Sequence, residues 1–125
     1  MAETREIPKE QWTAYLSQVE AAQRDSPVEV ELAGTSIGDQ YLTRNAQLRA
    51  ISAVGRGAAS GTIEIDLGVD GGLDHRILRP AHLYAIQSST GQVECLDIED
   101  DQQTKTLIRF KEPRVLLSET SPRNG

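Results

Sequence analysis

The sequence predicts an α+β domain: one amphipathic helix packed on a curled, open barrel-like antiparallel meander of about six strands. Apolar residues recur with a period near 3.6 between positions 8 and 25, and with a period of 2 from position 28 onward. Helix and strands are segregated rather than alternating, which argues against a parallel α/β sheet. A chain of 125 residues is long enough for one domain with a real core.

The helix opens near Pro8, whose missing N–H costs nothing at a first helical position, with Glu10 at the positive end of the dipole. Trp12, Tyr15, Leu16 and Val19 fall at i, i+3, i+4 and i+7, and Ala22 extends the stripe. Asp25-Ser26-Pro27 ends it, because the residue before a proline is pushed out of the α region. Trp12, the single tryptophan, is expected to anchor the helix on the sheet.

Val28, Val30 and Leu32 alternate with Glu29 and Glu31 in the first strand. A turn over 34–39 leads to a long strand over 40–54. There Leu42, Ala46 and Leu48 share a parity that Ile51 and Ala53 do not, so a bulge is expected near Arg49-Ala50. Residues 55–61 read as a glycine-rich loop, Ile63–Leu67 as the third strand, and Asp70-Gly71 as a hairpin turn. The fourth strand, 75–88, is interrupted at Pro80. Beyond the break His82, Tyr84 and Ile86 share one face and Leu83 and Ala85 the other, which predicts cover on both sides. Strands over 92–98 and 104–110 follow, and Pro113 is expected to end the last. The organisation is thus one domain over 1–112, followed by a strand-like segment and a disordered polar tail over 113–125.

Thirteen basic against 19 acidic side chains give a net charge of −6, which argues against nucleic acid and anionic membranes as partners. One cysteine, Cys95, excludes an intramolecular disulfide, and no apolar run suits a signal peptide or a membrane helix. A cytoplasmic protein is the expectation.

His75-x-Ile77-x-x-Pro80, Leu96-x-Ile98, an acidic turn and Thr106-Leu107-Ile108-x-Phe110 form a pattern with the opening Ile7-Pro8-x-x-x-Trp12-x-x-x-Leu16. It resembles a small bacterial family of unknown function, DUF5335, over about residues 6–112. Where that pattern suggests Asp-Gly in the last hairpin, this chain has Asp100-Asp101. The resemblance supports the fold and implies no catalytic or binding residue.

Chemistry-bearing motifs are sparse. Asp97-x-Glu99-x-Asp101 fails as a calcium loop, since its sixth and twelfth places hold Gln102 and Ile108. The 55–61 loop lacks the Lys-Ser/Thr of a phosphate cradle, although its Arg56 keeps it a candidate binding edge. His75 and His82 stand seven apart, on opposite faces of an unbroken strand; only a bulge at Pro80 unites them. Cys95 has no cationic neighbour in sequence and reads as an inert core thiol. No metal site and no cofactor are expected.

Arg44 shares the parity of Leu42 and Ala46, and either covers apolar surface with its stem or points into a barrel mouth. Arg76 and Arg79 flank the Pro80 break and are candidates for the same mouth. The leading expectation is a non-catalytic module that binds a protein or small ligand through Arg44, Arg56, Arg76, Arg79 and His82. Its rivals are a small hydrolase or isomerase using His75 or His82 with a carboxylate such as Asp74, and an Sm-like nucleic-acid-binding barrel. A homodimer is expected through Val115-Leu116-Leu117, an apolar run with no helical period.

Overall fold

The computed structural model describes residues 2–34, 38–54, 61–68 and 72–116. Strand β1 (Glu3–Glu6) leads through a 3-10 turn, Lys9–Gln11, into helix α1 (Trp12–Gln23). Strands β2 (Pro27–Gly34), β3 (Gly38–Val54), β4 (Thr62–Gly68), β5 (Leu73–Leu78), β6 (Pro80–Gln87), β7 (Gln92–Asp100) and β8 (Lys105–Val115) follow. All pair antiparallel in one sheet of order β1-β6-β7-β8-β2-β3-β4-β5. Among the described residues no helix is long and apolar enough to cross a membrane.

Among the described residues eight strands replace the expected six, for two physical reasons. Glu3-Thr4-Arg5-Glu6 is exposed throughout, so β1 has no apolar alternation and is held by backbone pairing to β6. The expected strand over 75–88 is two strands, divided at Arg79, whose φ of 51° breaks the extended run. The other boundaries follow the expected pattern more closely. The bulge in the long strand lies between Leu48 and Ala50.

Two further expectations are corrected. Pro113 does not end β8, which continues to Val115. Pairing with β2 stops at Phe110, so at Pro113 one edge of β8 is bare and a missing N–H is tolerated. Nor is β6 covered on both sides: Leu83 and Ala85 are buried, whereas Tyr84 and Ile86 are half-exposed on the far face.

Chain continuity dictates the curl. β5 is one edge of the sheet and β6 lies one strand in from the other edge, yet Arg79 alone joins them. A single residue spans only about 3.5 Å, so the sheet must roll until its two ends approach. Among the described residues no strand pairing crosses that seam, and the barrel-like sheet stays open.

The rolled interior is the core, filled by Val28, Val30, Leu48, Ile65, Leu96 and Ile108 among others. The helix docks on it through buried Trp12, Tyr15, Leu16 and Val19, as their spacing predicts. The Ile7 carbonyl accepts the Trp12 indole N–H at 2.8 Å. The Glu20 carboxylate accepts the Ile51 backbone N–H at 3.0 Å, and the Asp25 N–H donates to Leu48 O. Arg114 Nη1 donates to the Ala22 carbonyl at 3.1 Å, tying the helix to the C-terminal end of β8.

Candidate functional site

With the apolar residues turned inward, the outer face of β1, β6, β7, β8 and β2 carries the polar ones, and no described element covers it. Strand register sets them in three rows. The middle row runs Glu6, Tyr84, Asp97, Leu107, Glu31. On one side lie His82, Glu99 and Lys105; on the other, Ile86, Cys95, Arg109 and Glu29. Neighbouring strands stand about 4.8 Å apart, so side chains in a row touch. The three rows hold Glu6, Glu29, Glu31, Asp97 and Glu99 against Arg109 and Lys105, and are net acidic.

Several of these groups are withdrawn from water. Arg109 bridges Glu31 at 2.8 Å and Glu29 at 3.0 Å. The Glu31 side chain is only 8% exposed, a depth that an acid tolerates only when paired. Hydrogen bonding to Glu31 raises the Arg109 pKa. The Cys95 thiol is pushed up to about 11 by burial, against the opposing pull of Arg109. Arg109 is the cation that sequence neighbours did not supply. It reaches Cys95 across the sheet, and the thiol still stays protonated at neutral pH.

Asp97 differs from the rest. Burial raises its pKa, with Glu99 adding to the rise and Lys105 opposing it. Its Oδ1 is shut off from solvent and accepts no hydrogen bond. Beside it the Tyr84 phenol is also raised, by burial and then by the Glu6, Glu99 and Asp97 carboxylates. His82 stacks on Tyr84 with ring centroids 5.8 Å apart, and its Nδ1 lies 2.8 Å from Glu6 Oε2. Gln23 Nε2 likewise lacks a partner, but that side chain is sealed at the helix–sheet joint.

A cleft opens at the barrel end away from the helix, at the start of β8. This mouth, of about 260 Å³, is lined by Leu32, His75, Arg76, Ile77, Leu78, Arg79, Thr104 and the 100–102 turn. Both arginines at its rim are committed, Arg76 to Glu64 at 3.1 Å and Arg79 to Asp101 at 2.9 Å. His75 lines the same mouth, where burial lowers its pKa.

The sequence candidates therefore divide. Arg76 and Arg79 reach the mouth together with His75. Arg44 is not among its lining residues; it is exposed and lies over the Tyr41 ring at 3.8 Å. His82 faces outward beside Glu6, so the structure does not unite the two histidines. Asp74, the carboxylate offered to them, stands opposite Asp66 and lines, with His75, Asp66 and Arg76, a separate cleft of about 410 Å³. Arg56 and the rest of the 55–60 loop lie outside the described residues, as do 69–71 and the tail from 117. Val115 pairs with Gln92 of its own chain and Leu116 packs on the core, which removes the reason for expecting them in a neighbour's sheet.

Comparison with known proteins matches a family model to residues 3–119. The chain belongs to DUF5335, a family of unknown function. It is 27% identical to an uncharacterized protein of Aquifex aeolicus (strain VF5) over 116 residues, 93% of this chain and 98% of the relative. In fold it is similar to the Bacillus subtilis YojF protein, with a TM-score of 0.53 at 12% identity. That likeness covers 90% of this chain and 98% of the other.

In this DUF5335 member the outer-face constellation was not legible from sequence. Asp97 and Glu99 read as part of a solvated turn, and the Glu29/Glu31 alternation as an ordinary wet face. The one available signal was Leu107, an apolar residue on the polar parity of the last strand, between Lys105 and Arg109. Its presence marks that face as partly dry.

Proposed function

We propose that this DUF5335 protein is a non-catalytic binding module that takes a cationic, hydrogen-bond-donating group on the outer face around Asp97. One observation carries the reading: a partly buried carboxylate with an oxygen that no group among the described residues satisfies. Such a group raises the free energy of the unliganded protein, and an incoming ammonium or guanidinium offsets that cost. The net acidic rows supply the complementary field, and the stacked Tyr84–His82 pair offers an aromatic surface for a cation. The same field opposes phosphate, which disfavours a nucleic-acid barrel. The mouth cleft is the weaker site, because its arginines already hold carboxylates.

Amide chemical-shift titration with butylamine, butylguanidine and butyrate tests the reading. The two cations should move the resonances of Tyr84, Asp97 and Leu107, and butyrate should leave them in place. Shifts with butyrate alone, or confined to the mouth residues, would overturn it.

A second reading rests on the 2.8 Å His82–Glu6 contact, which has the form of a carboxylate-oriented base. It is weaker because the nearest thiol, Cys95, stays protonated at neutral pH. Turnover of an ester or amide substrate that disappears in His82→Gln would favour it.

A further inference from the structure

We propose that β5 is a self-recognition edge, pairing antiparallel with β5 of a second copy of this chain about a two-fold axis through His75. β5 is hydrogen-bonded to β4 on one side and, among the described residues, to no strand on the other. Charged side chains ordinarily guard such an edge against pairing. Here the charges have opposite signs two residues apart, Asp74 and Arg76, both exposed on the outer face.

Geometry restricts the register. In an antiparallel pair, two directly opposed residues point their N–H and C=O groups either both towards each other or both away. Adjacent residues point them to opposite edges, so a two-fold axis must meet one residue and its own copy. Two centres, His75 and Arg76, keep five of the six residues of β5 paired. An axis at Arg76 sets that guanidinium against its own copy, which is repulsive.

An axis at His75 instead sets Asp74 against Arg76 of the second copy, twice, the exposed guanidinium then being shared with its own Glu64, and Leu73 against Ile77, twice. Leu78, 55% exposed, then falls opposite Gly72, just before β5, where a side chain would meet nothing within 4 Å. Asp74 already faces Asp66 on its β4 side, so a guanidinium on its other side relieves that opposition as well. Chemistry thus selects one register out of two, and the pattern is complementary to itself.

An edge of six residues buries less than the ~1,000 Å² expected of a tight interface. Association should therefore be weak, dependent on concentration and reduced by salt. Sedimentation between about 10 µM and 1 mM, the range in which so small an interface assembles, reads it. The wild-type chain should pass from monomer to dimer. Asp74→Arg and Arg76→Asp should each weaken association by about tenfold or more, because each sets like charges in register. Mixed one to one, the two variants should associate again, since each introduced charge then meets its opposite.

If Arg76→Asp loosens β5 through its new clash with Glu64, Asp74→Arg still discriminates, because it places a cation beside Asp66. A wild-type chain that stays monomeric throughout overturns the proposal. So does a dimer indifferent to Asp74→Arg, or a mixture of folded variants that fails to associate.

Discussion

Two outer faces of the same sheet carry carboxylates with raised pKa values, and they treat them differently. On β4 and β5, desolvation raises Asp66, and Asp74 adds a shared hydrogen bond and a like charge directly across the strands. On β7, desolvation raises Asp97, but its inner oxygen has no partner. On the first face each of these groups has a partner within the chain: Glu64 with Arg76 and Asp25 with Arg49 as opposite charges, and Asp66 with Asp74 through a hydrogen bond between like charges. The second leaves one group open. The contrast separates an acidic surface that answers to folding from one that answers to a ligand.

The layer beneath both faces sets the scale. Trp12→Ala empties a buried site and loses an indole hydrogen bond, and should lower stability by about 3–5 kcal/mol in urea melts. Cation binding at Tyr84 and Asp97 should survive at denaturant-free pH 7. Joint loss of binding and stability would mean that the outer face depends on the helix.

Next comes a matched pair. Arg109→Ala strands Glu31, 8% exposed, and should cost about 2 kcal/mol, below the full buried-pair value because Arg109 itself is partly wet. Arg76→Ala leaves Glu64, 43% exposed, in water and should cost less than about 0.5 kcal/mol. Equal losses would erase the distinction between the faces.

These effects explain what the sequence made legible. The Trp12–Val19 stripe and the period-2 strands carry their own physics, and the helix, the Leu48–Ala50 bulge and the meander follow from them. β1 was invisible because Glu3–Glu6 pairs by backbone alone. The break at Arg79 was displaced by one residue because proline, not a left-handed arginine, is the visible signal. The Glu31–Arg109–Cys95 association depends on register across three strands, and nothing local encodes it. Asp97 was harder still, since an oxygen lacking a partner is a property of everything around it.

The smallest expected effect concerns Asp66. Its folded-state pKa lies above the ordinary value of 3.8, so the folded chain holds the proton to higher pH than the unfolded one. Stability contributed by that proton is present at low pH and lost as pH rises through the raised value. Asp66→Asn should flatten this decline and raise stability at neutral pH by no more than about 0.5 kcal/mol, because the pair is exposed. An unchanged profile would mean that Asp66 and Asp74 do not interact.

Asp97 obeys the same sign and decides the matter. If its carboxylate exists for a ligand, removing it should help the unliganded fold. The measurement is the unfolding free energy of Asp97→Leu against wild type, from pH 7 down to about 3.5. The expected result is a gain of about 1 kcal/mol at neutral pH that shrinks on acidification, as the wild-type carboxyl takes up its proton. A loss of more than about 1 kcal/mol at neutral pH would make Asp97 a structural residue and contradict a binding face built around it.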